Sequence, residues 1–314
     1  ALLLYELIQQ SVVYKKYRCS HFRSRVRRSP EEDKILEEHG NKILVYELGG
    51  NLFFGTTDKL LSEVESEIKE KDMVIIDLKH VRHIDITGAK IIHQITNSIK
   101  AVGGEVYISS LKERASDEKI NVQQYLKDLD VIQAFDKSQI FDNLNFALEK
   151  AEESLLDKQN IRKENNDEIT LQISPLFCRL SDNEFQVIKP YFKHLNFSAG
   201  QKVFSKGETS NCLYVIVKGK VAIEATGGEK EKTRLSTFTQ GSFFGETAVI
   251  NKNYRETDAL AIEKTSLLAL ESSDLEIIEN EQKSIANKIL LGLILNLSEH
   301  LRVTNESLIK LESV

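Results

Sequence analysis

The chain has 314 residues, 41% hydrophobic and 29% charged, which is the composition of a globular protein long enough to form two separate cores. The net charge is −6, but residues 1–30 hold seven Lys or Arg and one Glu, so this leader carries +6 and the remainder −12. Acidic domains behind a basic leader argue against wrapping nucleic acid and suit a leader near an anionic membrane surface. Three widely spaced cysteines make no disulfide framework and indicate a reducing compartment.

The first residues admit two interpretations. Residues 1–5 are apolar and are followed by the basic leader, which is typical of the cytoplasmic end of a transmembrane helix. Leu4, Ile8 and Val12 also stand at helical spacing, which fits an ordinary amphipathic helix. No run approaches the ~20 apolar residues that a membrane-spanning helix needs. The chain begins with Ala rather than Met, and we expect it to be a piece of a longer protein.

Residues 38–157 are predicted to alternate between strands and helices. In chain order, we expect a strand at 42–48, a hairpin turn at 49–51, a returning strand at 52–54, a helix capped by Thr56 or Thr57, a central strand at 73–78, a helix carrying Ile91, Ile92, Ile95, Ile99 and Val102, a strand at 105–109, and helical segments from Tyr125 to Leu148. Such alternation predicts an α/β fold, a mixed sheet with packed helices.

Three sequence features give this region a family resemblance. They are His39-Gly40, the strand Val45-Tyr46-Glu47-Leu48, and Leu52-Phe53-Phe54-Gly55-Thr56-Thr57-Asp58-Lys59-Leu60. The region resembles a STAS domain, the fold shared by anti-sigma-factor antagonists and the cytosolic tails of SulP anion transporters. These features favour the transporter branch, and Arg28-Ser29-Pro30 looks like the linker that follows the last membrane helix there. The resemblance covers roughly residues 28–150.

The loop Ile84-Asp85-Ile86-Thr87-Gly88 aligns with the switch loop of the antagonists, in which a serine directly after the aspartate is phosphorylated. Ile86 occupies that position and has no hydroxyl, so phosphorylation there is excluded. We expect Asp85 to be a loop-stabilising acceptor and Thr87 to cap the helix before Gly88, with phosphorylation of Thr87 as the alternative.

The sequence carries no recognisable catalytic or metal-binding set. His80 and His83 stand three apart on a strand, so their side chains should diverge, and we expect no metal site there. The motifs of serine hydrolases, P-loop proteins and dinucleotide-binding folds do not occur. We therefore expect the protein not to be an enzyme. Residues 158–170 are rich in Glu, Lys, Asp and Asn and are expected to be a solvated linker.

The second half of the chain consists of short alternating runs. Leu213-Tyr214-Val215-Ile216-Val217 is one of them, and Gly200, Gly207, Gly219 and a Gly227-Gly228 turn separate such runs. This pattern predicts an antiparallel β-roll, or jelly roll, with flanking helices.

Phe243-Phe244-Gly245-Glu246-Thr247-Ala248, followed by Arg255, is a candidate anion site. A glycine turn lets backbone N–H groups approach a phosphate, and a guanidinium offers a planar fork to two phosphate oxygens. An ionised Glu246 only accepts hydrogen bonds, so it suits a sugar hydroxyl. A cyclic nucleotide presents both groups side by side.

Residues 171–303 resemble the cyclic nucleotide-binding domain of the bacterial catabolite activator and of protein kinase A regulatory subunits. The combination of Tyr-x-Ile-x-x-Gly and Phe-Gly-Glu-x-Ala, within glycine-spaced strands, carries the resemblance. It implies that the ligand is cyclic AMP or cyclic GMP, and that Arg255 pairs with its phosphate. The implied ligand-binding residues are Gly245, Glu246, Thr247, Ala248, Arg255 and Thr257.

Glu256 departs from the family, in which a small residue usually follows the arginine. A carboxylate about 6 Å from the phosphate would cost about 3 kcal/mol at an effective dielectric of about 20. In an extended strand Glu256 would instead point to the opposite face and Thr257 would return inward. The alternative is a β-roll that binds no nucleotide and serves as a docking module.

The last helix carries a wide apolar stripe that includes Leu290, Ile294, Leu297 and Leu301. We predict a homodimer contact along this row. The short tail that follows leaves no room for a helix-turn-helix, which argues against a transcription factor and against nucleic acid as a partner.

The predicted organisation is a juxtamembrane basic linker at 1–37, a STAS domain at 38–157, a linker at 158–170, a cyclic nucleotide-binding domain at 171–303 and a tail at 304–314. We interpret the chain as the cytosolic regulatory region of a SulP-type anion transporter, with the membrane domain as its partner in cis at the cytoplasmic face of the inner membrane. The alternatives are a soluble signalling adaptor and an interaction scaffold with an empty pocket.

Overall fold

The computed structural model describes residues 11–20, 22–68, 72–111, 126, 135–159, 174–209, 211–226, 232–251 and 254–312. The chain divides into two units. Unit 1 comprises Ala1–Ser24 and Ile35–Asn160, and unit 2 comprises Arg25–Lys34 and Ile161–Val314.

The described strands and helices are numbered in chain order. They are β1 Val13–Arg18, β2 Val26–Arg27, α1 Pro30–His39, β3 Ile43–Leu52, α2 Phe54–Glu67, β4 Met73–Ile84, α3 Ile86–Ala101, β5 Glu105–Ser109, β6 Ile140–Phe141, α4 Leu144–Lys158, α5 Asp182–Ile188, β7 Lys193–Phe197, β8 Lys202–Phe204, β9 Cys212–Lys218, β10 Val221–Thr226, β11 Lys232–Phe238, β12 Phe243–Phe244, α6 Glu246–Asn251, β13 Asp258–Ala261, β14 Thr265–Glu271, α7 Ser272–Glu281 and α8 Lys283–Glu312.

Unit 1 is built on a mixed five-stranded sheet in the order β1-β3-β4-β5-β6. Strand β1 is antiparallel to β3, and the other neighbours are parallel. The first six residues of β4 are all buried, as expected of a central parallel strand covered on both faces. The α/β fold with packed helices is confirmed, including the helix that carries Ile91 to Ile99.

The predicted hairpin at residues 49–51 is wrong. Strand β3 runs on through both glycines to Leu52, still parallel to β4, and two register shifts mark an irregular strand instead of a turn. The Gly49 amide donates to the Val12 carbonyl at 2.9 Å, which ties this stretch to the segment before β1. The chain then enters α2 at Phe54, so the returning strand does not form.

The start of α2 also differs from the prediction of a threonine cap. The helix begins at Phe54, ahead of both threonines. The Thr57 hydroxyl donates back to the Phe53 carbonyl at 3.1 Å, which is the bond of a residue inside a helix and not of a cap.

Two further segments depart from the expected pattern. Residues 13–18, which we placed in the basic linker, form edge strand β1 with alternating exposure. Ile140, which we placed in a helical segment, lies in strand β6 opposite Ile108, and helix α4 starts only after the Asn143 cap. Residues 1–10, most of 112–134 and most of the linker 158–170 lie outside the described residues.

Unit 2 contains the predicted β-roll with flanking helices. Its two sheets have the orders β2-β11-β10-β13-β8 and β12-β9-β14-β7, and all pairs are antiparallel except β2 with β11. Because side chains alternate along β9, Leu213, Val215 and Val217 pack in a core that includes helix α8, whereas Tyr214 and Ile216 lie in a second core.

Helix α8 divides its apolar residues between two faces. Ile285, Ile289 and Leu293 are buried in the core, but Ile294 is 62% exposed and Leu301 is 65% exposed. The wide apolar stripe expected from the sequence therefore has one packed face and one face open to solvent. No helix in the described part of the chain, α8 included, is long and apolar enough to cross a membrane.

Candidate functional site

The candidate ligand loop, around Gly245, connects the end of β12 to the start of α6. Phe243 and Phe244 pair with Val215 and Tyr214 of β9, which fixes the start of the loop in the sheet. Gly245 follows with φ +84°, a left-handed conformation that side chains other than glycine rarely adopt. A Cβ at this position would stand 2.8 Å from Arg255 Nη1, so a residue with a side chain could not approach the guanidinium as closely as this glycine does.

Arg255 lies inside unit 2 with only 4% of its surface exposed. Its Nη1 donates to the Gly245 carbonyl at 3.0 Å, and its Nη2 donates to the Cys212 carbonyl at 2.6 Å. Its own amide donates to the Glu208 carbonyl at 2.9 Å. Main chain and side chain are both anchored, so the guanidinium has a defined position beside the ligand loop.

Aromatic rings form one wall around this guanidinium. Arg255 Cζ lies 4.1 Å from the centroid of Phe204 and 5.5 Å from that of Tyr214. The Tyr214 ring stacks in turn on Phe244 at 5.3 Å between centroids. Stacking on ring faces favours a cation at this place and restricts the rotamers of Arg255.

Burial shifts the pKa values of the two charged residues of the site in opposite directions, and in both cases it disfavours the charged form. It lowers the pKa of the Arg255 guanidinium, while the neighbouring Tyr214 acts to raise it. Arginine nevertheless remains protonated, because its ordinary pKa lies far above neutrality. Burial raises the pKa of the Glu246 carboxyl, and its own backbone N–H and the charge of Arg255 partly oppose that rise. The site thus combines a fixed cation with a carboxylate whose ionised form would be stabilised by any hydrogen-bond donor brought to it.

Exposure alternates around Arg255, but the extended strand that we considered for this stretch does not form: the chain bends at Glu256 and Thr257, and β13 begins only at Asp258. Glu256 is exposed, Arg255 is buried and Thr257 is half-buried, so Glu256 does not share the burial of the guanidinium. Thr247 is exposed, and the side chain of Ala248 lies outside the described residues. The structure brings Gly245, Glu246 and Arg255 together, and the ligand-binding roles of all six residues stay predictions.

Sequence reasoning did not single out Phe204, Tyr214 or the Cys212 carbonyl as parts of this site. The period-two pattern of β9 puts Tyr214 on the face opposite Leu213 and Val215, which was a usable signal. The position of Phe204 depends on the pairing of β8 with β13, a contact between strands far apart in the chain.

The switch loop of unit 1 has a cap different from the one predicted. The Asp85 carboxylate accepts a hydrogen bond from the Gly88 amide at 2.7 Å and is the N-cap of α3, so Thr87 is not the cap. Gly88 packs so tightly that an added Cβ would lie 2.5 Å from the Leu52 carbonyl oxygen. Ile86 is 51% exposed at the start of the helix.

His80 and His83 differ in surroundings, as expected for residues three apart on a strand. The His80 ring lies 4.5 Å from Tyr14 between centroids, whereas His83 is exposed. Among the residues that the structure describes, no group of three potential metal ligands occurs.

Comparison with known proteins identifies both regions. The family model of the cyclic nucleotide-binding domain matches residues 194–281, and that of the STAS domain matches residues 34–149. The chain is 26% identical over 247 residues to glutaminase 2 of Bradyrhizobium diazoefficiens, covering 79% of this chain and 38% of that protein. It is 34% identical to the cyclic AMP receptor protein of Thermus thermophilus, covering 32% and 47% of the two chains.

A third relative is a cyclic nucleotide-gated potassium channel of Rhizobium etli, at 29% identity over 37% of this chain and 31% of the channel. The chain thus spans less than half the length of each of these relatives. Among solved structures, the catabolite activator protein of Thermus thermophilus has 27% identity and a TM-score of 0.40, covering 44% of this chain and 63% of that one. On the family matches and the two folds described, the chain joins a STAS domain to a cyclic nucleotide-binding domain.

Proposed function

We propose that unit 2 binds a cyclic nucleotide, cyclic AMP or cyclic GMP, and that the chain is the cytosolic regulatory region of a SulP-type anion transporter. The observation that carries the ligand proposal is the buried Arg255 guanidinium, held against the left-handed Gly245 turn by carbonyl oxygens. A phosphate is a stronger acceptor for a guanidinium than a neutral carbonyl is, so an entering phosphodiester gains charge-assisted hydrogen bonds.

Glu246 supplies the second half of the recognition. Its carboxyl has a raised pKa because burial penalises the charge. A ribose hydroxyl that donates to this carboxylate would offset the lost hydration. Phosphate on Arg255 and ribose on Glu246 together select a cyclic nucleotide over inorganic phosphate.

Strand β9 provides a route from this site to the last helix. It pairs with β12 at the ligand loop, and its Leu213 and Val215 belong to the same core as Ile289 and Leu293 of α8. A change at the loop can therefore alter the packing of α8. The ligand shifts such an equilibrium only if it binds one of two states more tightly. The transporter membrane domain in cis and a homodimer through the exposed face of α8 belong to this proposal.

The ligand proposal is tested by calorimetry of the 314-residue chain with cyclic AMP and cyclic GMP. Arg255→Ala should weaken binding about a hundredfold, because at least one charged hydrogen bond and the ion pair with phosphate are lost. Lys264→Ala is the matched control, since it removes one positive charge from an exposed turn of the same unit. Absence of heat with both nucleotides, or equal binding by Arg255→Ala and the parent, would contradict the proposal.

The effector that this region regulates has a second candidate. The alignment to a protein named glutaminase 2 covers 79% of this chain, which favours a regulatory region attached to an enzyme. The soluble adaptor and the scaffold with an empty pocket remain alternatives to both. Sequencing the gene upstream of Ala1 tests the transporter: membrane-spanning segments there support it, and a catalytic domain or the absence of such segments refutes it. The calorimetry described above separates the scaffold with an empty pocket from the other candidates.

A further inference from the structure

Residues of the basic leader complete the first sheet of unit 2. Strand β2 pairs in parallel with β11, in the register Val26 with Thr237 and Arg27 with Phe238. The Thr237 amide donates to the Arg25 carbonyl at 3.2 Å, and the Thr239 amide donates to the Arg27 carbonyl at 3.2 Å. Val26 and Arg27 of the leader are thus a sheet strand of the cyclic nucleotide-binding unit, although they precede the STAS residues in sequence.

Two hydroxyl groups reinforce this pairing at a single carbonyl. Thr239 Oγ1 donates to the Arg27 carbonyl oxygen at 3.0 Å, and Ser242 Oγ donates to the same oxygen at 2.9 Å. Arg28 and Ser29 follow, 7% and 5% exposed. Val26 and Arg27 are half-buried, so the convergent donors, together with the burial of the two residues that follow, distinguish this docked strand from a leader lying loosely on a surface.

The same contact reaches the ligand loop. Ser242 directly precedes β12, and its carbonyl accepts from the Ile216 amide at 2.9 Å, so its side chain holds the leader while its main chain holds the sheet. At the end of β11, the Phe238 ring lies 5.7 Å from that of Phe244, the residue before Gly245. A leader that leaves β11 would release the support on both sides of the loop.

We infer that residues 25–29 form a docking strand that orders the ligand loop, and that docking of this strand and occupation of the loop favour each other. The nucleotide part of this inference rests on the function proposed above, whereas the ordering of the loop does not. By linkage, whatever factor the docked leader adds to nucleotide affinity, the nucleotide adds to docking. Whether residues 25–29 are docked or released would therefore report whether the ligand site is occupied.

Amide hydrogen exchange of the full chain without nucleotide tests the ordering step. The double variant Thr239→Val and Ser242→Ala removes both hydroxyl donors and keeps the Thr239 amide. Thr233→Val is the control, since it makes the same change at an exposed position of β11. We expect exchange about tenfold faster in the double variant at the amides of Thr237 and Thr239 and at residues 243–246.

Calorimetry with cyclic AMP then tests the linkage, and we expect affinity at least about fivefold weaker in the double variant than in Thr233→Val. Unchanged exchange at the amides of Thr237 and Thr239 would overturn the docking, and faster exchange there with unchanged exchange at 243–246 would overturn the ordering of the loop. Equal affinities would overturn the linkage. If the parent chain binds no nucleotide, the proposed function and the linkage both fail, while the exchange result still decides the ordering.

Discussion

Replacement of Gly245 by alanine probes the geometry of the ligand loop most directly. Alanine at φ +84° costs about 1 kcal/mol in backbone energy alone. Its Cβ would also stand 2.8 Å from Arg255 Nη1 and 3.3 Å from the Cys212 carbonyl oxygen, both closer than real Cβ contacts usually come. The guanidinium has to move, but Phe204 at 4.1 Å and the Cys212 carbonyl restrain it.

The magnitude follows from the contact that is lost. A hydrogen bond to a charged donor contributes about 1.5–3 kcal/mol, so loss of the bond from Arg255 to the Gly245 carbonyl brings the total to about 2.5–4 kcal/mol. Gly200→Ala is the control, because Gly200 has φ +82° and its Cβ would meet nothing within 4 Å. That variant should lose only the backbone term, about 1 kcal/mol.

Urea denaturation followed by tyrosine fluorescence measures the two free energies of unfolding, and calorimetry measures nucleotide affinity. We expect Gly245→Ala to lose about 1.5–3 kcal/mol more than Gly200→Ala and to bind cyclic nucleotide at least about tenfold more weakly. Equal destabilisation of the two variants would refute the reasoning, because it would mean that the guanidinium is not held against the glycine turn.

Two further substitutions test the charge of the site and the open face of α8. Glu246→Gln should stabilise the fold at neutral pH and weaken nucleotide binding. The raised pKa means that the folded state holds this proton more tightly than the unfolded chain, so ionisation of Glu246 is destabilising above that pKa. The gain in the free energy of unfolding should therefore shrink as the pH falls through the acid range, which denaturation at several pH values measures. Ile294→Glu, at a position 62% exposed on α8, should convert the proposed dimer into a monomer in light scattering, because it places a charge in an apolar contact.

Each of these substitutions has its own control. Glu224→Gln neutralises a carboxylate on β10 and should leave nucleotide affinity unchanged. Ile277→Glu, at a position 40% exposed on α7, introduces the same charge outside the α8 row and should leave the mass unchanged. A stability gain for Glu246→Gln that is independent of pH would contradict the assigned cause. A monomer in the parent chain at high concentration would contradict the dimer.

The sequence predicts best what depends on local pattern. The strands of the β-roll follow from period-two alternation, and the ligand loop follows from one glycine and one arginine ten residues apart. The burial of Arg255 with Glu256 exposed agrees with the expected alternation, although a bend at Glu256 and Thr257 produces it and not an extended strand.

The errors arise where distant strands decide the outcome. Gly49 and Gly50 look like a turn when read alone, but the long parallel pairing with β4 keeps them in one irregular strand. The docking of Arg27 beside Thr239 joins residues 212 positions apart, and no local pattern points to it. The Phe204 wall behind Arg255 likewise depends on strand pairing and not on any motif.

The discontinuity of unit 2 affects how the protein can be dissected. A fragment that starts at residue 161 contains every described strand of the β-roll except β2, so it leaves β11 as an unprotected edge of the sheet. The amides of Thr237 and Thr239 would then point into solvent and could recruit another extended chain. Such a fragment would be prone to edge-to-edge self-association, and an oligomer measured with it would say nothing about the pairing of intact chains.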